Sequence, residues 1–201
     1  MKTVFLMLWI GIGVTVTSSL MVGHVVALPT PEEGETISVE TLGFQPTGSS
    51  DFESKPAMAI HVFYGNCPCS QRVLDKLLGR TAMQPIQERI VFVGKPDPRE
   101  DQASKRGYQV ERVTRDELRS RYGVQAAPLL MLVDDRGRIL YSGGYTDRKQ
   151  GPSIQDVAII ESILDGVATE SLPVFGCAVS QELQQVIDPF GLKYVDAEAE
   201  Q

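Results

Sequence analysis

The sequence contains three cysteines, and two of them, Cys67 and Cys69, flank Pro68 in the run NCPCSQ (66–71). The thiolate is the nucleophilic and metal-binding form of cysteine. A pair this close therefore admits three chemistries: a redox dithiol, two soft-metal ligands, or two small apolar residues and a static bridge. Residues two apart on a helix do not face each other, and a disulfide needs its Cβ atoms about 3.5–4.5 Å apart. A Cys67–Cys69 bridge thus requires a bent tripeptide, which Pro68 makes plausible. The third cysteine, Cys177, sits among Val174, Phe175 and Val179. It is either a buried small apolar residue or a third redox thiol exchanging with the pair.

The flanking residues place this pair. AMAIHVFY (57–64) is apolar, rich in strand formers and closed by Gly65-Asn66, which predicts a buried strand. SQRVLDKLLGR (70–80) puts Val73, Leu74, Leu77 and Leu78 on one helical face, with Gly79 as a stop. The cysteines thus fall at a strand-to-helix junction, where unpaired N–H groups and the helix dipole favour a thiolate. Downstream, RIVFVGK (89–95) predicts a second buried strand, and the polar, proline-led stretch 96–113 reads as a long loop. Thr114 and Glu117 form a capping box that opens a helix ending near Gly123. LLMLVDD, RGR and ILYSGGY (129–145) read as strand, turn and antiparallel strand. Val157, Ile160, Ile163, Leu164 and Val167 mark a last core helix, and QELQQVIDPFGLKY (181–194) adds a short one. This order predicts an α/β domain whose mixed sheet carries helices on its faces.

Residues 3–23 carry no charge, with Lys2 ahead and an acidic flank behind. About 20 apolar residues cross a bilayer, and the basic flank orients the remainder outward. Residues 1–28 are therefore expected to be a single-pass membrane anchor, or an exported signal segment cleaved near Val25-Val26-Ala27. Residues 29–55, rich in Pro, Gly, Ser, Thr and Glu, read as a flexible linker, 56–190 as the folded domain and 191–201 as an acidic tail. The net charge of -7 and the lack of a basic block argue against a nucleic-acid partner.

The runs HVFYGNCPCSQRVLDKLL and RYGVQAAPLLMLVDDRGRILYSGGY, followed by an amphipathic helix, look like the thioredoxin-like superfamily over roughly 56–167. That resemblance implies a three-layer fold, a cis-proline at Pro128 facing the cysteines, and a backbone at Ala127 that holds a substrate chain by strand-like hydrogen bonds. It implies a membrane-tethered, extracytoplasmic (periplasmic in a Gram-negative cell) thiol-disulfide oxidoreductase. Its partners would be thiol- or disulfide-containing proteins and a redox partner, and no cofactor is implied. Cys67 is expected to attack and Cys69 to resolve. FGCAVS (175–180) also looks similar to the Gly-Cys found near the C-terminus of some redoxins. The pattern departs from the family in having one residue, not two, between its cysteines, and no Trp ahead of them; the lone tryptophan is Trp9.

Rival functions have weaker support. A peroxidatic cysteine follows a Thr three residues earlier, and here Tyr64 and Asn66 stand in those places. A copper(I) chaperone of the same fold suits soft thiolates but would need Cys177, Met131 or His61 as a third ligand. His61 reads as a satisfied residue of the first strand, and His24 falls in the apolar N-terminal segment. A redox-inactive interaction module using the 96–113 loop is the remaining alternative. Neither four-ligand zinc spacing nor a Ser-His-Asp set is present.

Overall fold

The computed structural model describes residues 2–25, 27–43, 56–149, 151–191 and 193–194, with side chains of the first segment described to Ser18. The chain divides into two compact units, Leu28–Ser180 on one hand and Met1–Ala27 with Gln181–Gln201 on the other. The larger unit is built on a five-stranded mixed sheet. Its strands are β1 (Pro56–Tyr64), β2 (Gln87–Val93), β3 (Gln109–Val113), β5 (Leu129–Asp134) and β6 (Ile139–Gly143), in the order β3-β2-β1-β5-β6. β1 runs parallel to β2, and β2 to β3, while β5 is antiparallel to both β1 and β6. A second, two-stranded sheet joins β4 (Ala126–Ala127) to β7 (Cys177–Ala178).

Every residue of β5, and β1 from Met58 onward, is buried, as expected of central strands covered on both faces. On one face α3 (Pro68–Leu77) and α6 (Asp156–Leu164) contribute Val73, Leu74, Leu77, Ile159 and Ile160 to a core with Phe63, Phe92, Leu130 and Leu132. The other face carries α5 (Arg115–Tyr122), whose buried Leu118 and Tyr122 point inward. The predicted capping box is present: Glu117 N donates to Thr114 Oγ1 at 3.2 Å, and Thr114 N to Glu117 Oε2 at 2.7 Å. The β5–β6 turn follows from Gly137, whose φ of 80° only glycine adopts easily.

Two expectations are corrected. The stretch 96–113 is not a loop: it holds α4 (Arg99–Lys105) and the edge strand β3. Its polarity belongs to an exposed helix and a strand buried fully only at Val113. The linker assigned to 29–55 is ordered over 28–43, with α2 (Val39–Leu42) inside it. Leu28, Ile37 and Leu42 are buried, and β-bridges join Leu28 to Val174 and Thr36 to Arg138. Arg89 fixes the end of this segment, donating to Thr41 O at 3.0 Å and Leu42 O at 2.6 Å. The compact unit therefore starts near residue 28 and ends near 180, not at 56 and 190. Residues 44–55 and 195–201, the rest of the expected linker and most of the acidic tail, lie outside the described residues.

Lys2–Val25 forms helix α1, and Gln181–Ile187 forms α7. Among the described residues no helix is long and apolar enough to cross a membrane. Val26, in the expected cleavage site, lies outside the described residues.

Candidate active site

Cys67 is the N-cap of α3, in an extended conformation with φ −103° and ψ 113°, and Pro68 follows at the first helical position. Pro suits that position because the N–H it lacks would have no helical partner. The turn is pinned from both sides. Cys67 N donates to Tyr64 O at 3.0 Å, Gln71 N to Cys67 O at 3.0 Å, Tyr64 N to Ser70 Oγ at 3.2 Å, and Gln71 Nε2 to Gly65 O at 2.8 Å. Cys67 is completely buried, while Cys69, in the first turn of α3, is half-buried.

Opposite this turn, the Ala127–Pro128 peptide bond is cis. Cys67 Sγ lies 3.8 Å from Ala127 O. Strand β7 pairs with β4 so that Cys177 stands directly opposite Ala127 and Ala178 opposite Ala126. All three sulfurs are thiols, and that of Cys67 hydrogen-bonds with those of Cys177 and Cys69. Residues widely separated in sequence thus share one small volume. Ala127 was expected to hold a substrate chain; here β7 of the same chain pairs with it instead. The close approach depends on Gly176, since a Cβ there would overlap Ala127 O and come within 2.7 Å of Pro128 Cδ.

The protonation of the pair corrects the expectation of a thiolate stabilised by the helix. The Cys177 thiol, together with burial, pushes Cys67 up, against the opposing pull of the Cys69 hydrogen bond and the Ser70 N–H. Cys69 is pushed well above the ordinary cysteine value, first by its hydrogen bond with Cys67 and then by burial; Arg72 and Lys149 pull it down only in part. Low polarity and neighbouring sulfurs outweigh the helix N-terminus. Cys69 opens on a small cleft lined by Arg72, Lys76, Pro128, Tyr145 and Phe175. Of the two, Cys69 is therefore the more accessible sulfur.

Beneath the cleft lies a buried charged network that the sequence does not advertise. Glu88 accepts from Arg80 at 2.8 and 2.7 Å, from His61 Nε2 at 2.8 Å, and from Met83 N. Arg80 also donates to Asp156 at 2.6 Å, and His61 Nδ1 lies 2.9 Å from the Tyr145 hydroxyl. An ionised carboxylate only accepts, so Nε2 of His61 carries a proton. His61 is thus a satisfied core residue and is not oriented toward the cysteines. Among the described residues there is no group of three or more His, Cys, Asp or Glu that could hold a metal ion. Met131, the other residue a copper site would draw on, is fully buried in β5.

No family model matches this sequence, and no curated protein matches it. Among solved structures, an uncharacterized conserved protein from Geobacillus kaustophilus is similar at 14% identity with a TM-score of 0.45, over 77% of this chain and 97% of that one. A hypothetical protein from Sinorhizobium meliloti 1021 is similar at 14% identity with a TM-score of 0.42, over 77% and 95%.

Proposed function

We propose that this chain is a thiol-disulfide oxidoreductase of thioredoxin-like arrangement, acting on disulfides of exported proteins. The observation that carries the proposal is the meeting of Cys67, Cys69 and Cys177 between the start of α3 and the cis-Pro128 turn. The greater exposure of Cys69 supports roles that are the reverse of the sequence expectation. Cys69, at the cleft, attacks the external disulfide, and buried Cys67 then attacks the mixed disulfide and releases the substrate thiol. Raised thiol pKa values work toward a reductant: a dithiol whose thiolate is not stabilised gives up electrons more readily than one whose thiolate is. Arg72 and Lys149 supply the positive charge that lets Cys69 ionise as it attacks. Attachment to a membrane through the charge-free segment 3–23 is the part of the proposal drawn from sequence alone.

The test uses the full chain with Cys67→Ser, incubated with insulin as the disulfide substrate. Mixed disulfides should accumulate on Cys69 in this variant and disappear when Cys69→Ser is added. Absence of any adduct, or stoichiometric Cu(I) uptake by a wild-type chain that reduces no disulfide, would overturn the proposal, the second in favour of a copper carrier.

A further inference from the structure

Two sulfurs compete for Cys67, and the backbone treats them differently. Cys69 lies two residues along the same chain, inside the first turn of α3. Bridging it to the N-cap must draw together two residues of one tight turn, closed by the Gln71 N to Cys67 O hydrogen bond of 3.0 Å, and a disulfide needs its Cβ atoms about 3.5–4.5 Å apart. Cys177 comes from a separate strand. Its position is fixed by the register opposite Ala127, by Gly176 set flat against Ala127 and Pro128, and by Val179 N donating to Gln125 O at 2.7 Å. A bridge to Cys177 would join two separate elements, outside the first turn of α3.

We propose that Cys177 is a catalytic residue, the thiol that closes the cycle by bridging to Cys67, so that the oxidised chain rests with a Cys67–Cys177 disulfide and Cys69 as its reactive thiol. This rests on the dithiol function proposed above and names its second partner. The substrate disulfide is first cleaved by the Cys69 thiolate, which forms a Cys69–substrate bond and releases one substrate thiolate. Cys67 attacks the Cys69 sulfur, forms the Cys67–Cys69 bond and releases the second substrate thiolate; two electrons have then passed from the chain to the substrate. Cys177 attacks the Cys67 sulfur, forms the Cys67–Cys177 bond and expels Cys69 as a thiolate, which takes up the proton Cys177 gave up. That last step is an internal exchange with no net oxidation. It stores the bridge between residues that are 0% and 7% exposed and returns Cys69 to the cleft. Regeneration requires an external dithiol reductant.

Full-length protein oxidised with diamide and digested without reduction should yield, by mass spectrometry, a cross-linked peptide pair joining Cys67 to Cys177, with Cys69 carrying the alkylating label. The Cys177→Ser chain should instead give a Cys67–Cys69 bridge, and the Cys69→Ser chain should still bridge once per molecule. A wild-type map dominated by Cys67–Cys69, or Cys177 labelled in the oxidised folded chain as fast as in urea, would overturn the inference. Mapping needs no substrate, so a chain that bridges Cys67 to Cys177 but never reduces insulin would sink the proposed function and leave the pairing standing.

Discussion

Replacing Glu88 by Gln tests the buried network directly. In the folded chain burial opposes ionisation of this carboxyl, but the bidentate Arg80 contact and the His61 hydrogen bond win, holding it at about 2 against 4.5 for an ordinary glutamate. That depression of about 2.5 pH units, at about 1.36 kcal/mol each, makes the ionised group worth ~3 kcal/mol to folding. Because the folded value is the lower one, the contribution is complete above pH about 4.5 and fades as pH falls toward about 2; by pH about 3 roughly 2 kcal/mol of it is gone. Gln cannot ionise, and its amide N–H₂ would face the Arg80 donors. Arg80 keeps Asp156 at 2.6 Å, which holds the loss near the lower end of the about 3–5 kcal/mol typical of a broken buried pair. Urea unfolding of the full chain, followed by far-UV circular dichroism, should show Glu88→Gln less stable by ~3 kcal/mol at pH 7. The gap should narrow to roughly 1 kcal/mol at pH about 3. A gap that stays constant between those pH values, or none at pH 7, refutes the assignment of this stability to the ionised carboxylate.

Gly176→Ala should push β7 off the cis-proline turn, costing about 1–3 kcal/mol as an overpacking change and raising the rate at which Cys177 is alkylated in the reduced folded chain; an unchanged rate would contradict the close approach described here. Alkylation of Cys69 in the reduced chain should keep rising past pH about 10, where an ordinary cysteine of pKa about 8.5 has levelled off, because its thiol is pushed upward by Cys67 and by burial. A plateau by pH about 10 would contradict that upward shift.

Sequence pattern conveyed the central layers well. AMAIHVFY, RIVFV and LLMLVD are apolar and strand-forming on both faces, so burial and period agree, and the Thr114–Glu117 box marks its helix by local chemistry alone. The polar α4 and β3 escaped because their side chains largely face solvent and produce no apolar period. The 28–43 segment escaped for the opposite reason: Leu28, Ile37 and Leu42 are isolated anchors, held by bridges to Val174 and Arg138 that only the folded chain creates. The cysteine pair and Pro128 were visible as a constellation. That Cys177 reaches it, over a two-residue strand, was not, because so short a pairing leaves no alternation to read. Glu88 and Asp156 look like surface charges; it takes the tertiary placement of Arg80 and His61 to bury them.

The segment 172–178 closes on its neighbours through a glycine at three places. A Cβ at Gly143 would meet Leu172 O at 2.8 Å, one at Gly144 would overlap Pro173 O, and one at Gly176 would overlap Ala127 O. The specification of the site is thus written as much in missing side chains as in sulfur. In a saturation mutagenesis screen for redox function, Gly143, Gly144 and Gly176 should tolerate as few replacements as the cysteines, although none of them takes part in the chemistry. A search for proteins built the same way would do better to ask for the paired glycines at the end of a strand and a Gly-Cys some thirty residues later than for any fixed spacing between the first two cysteines.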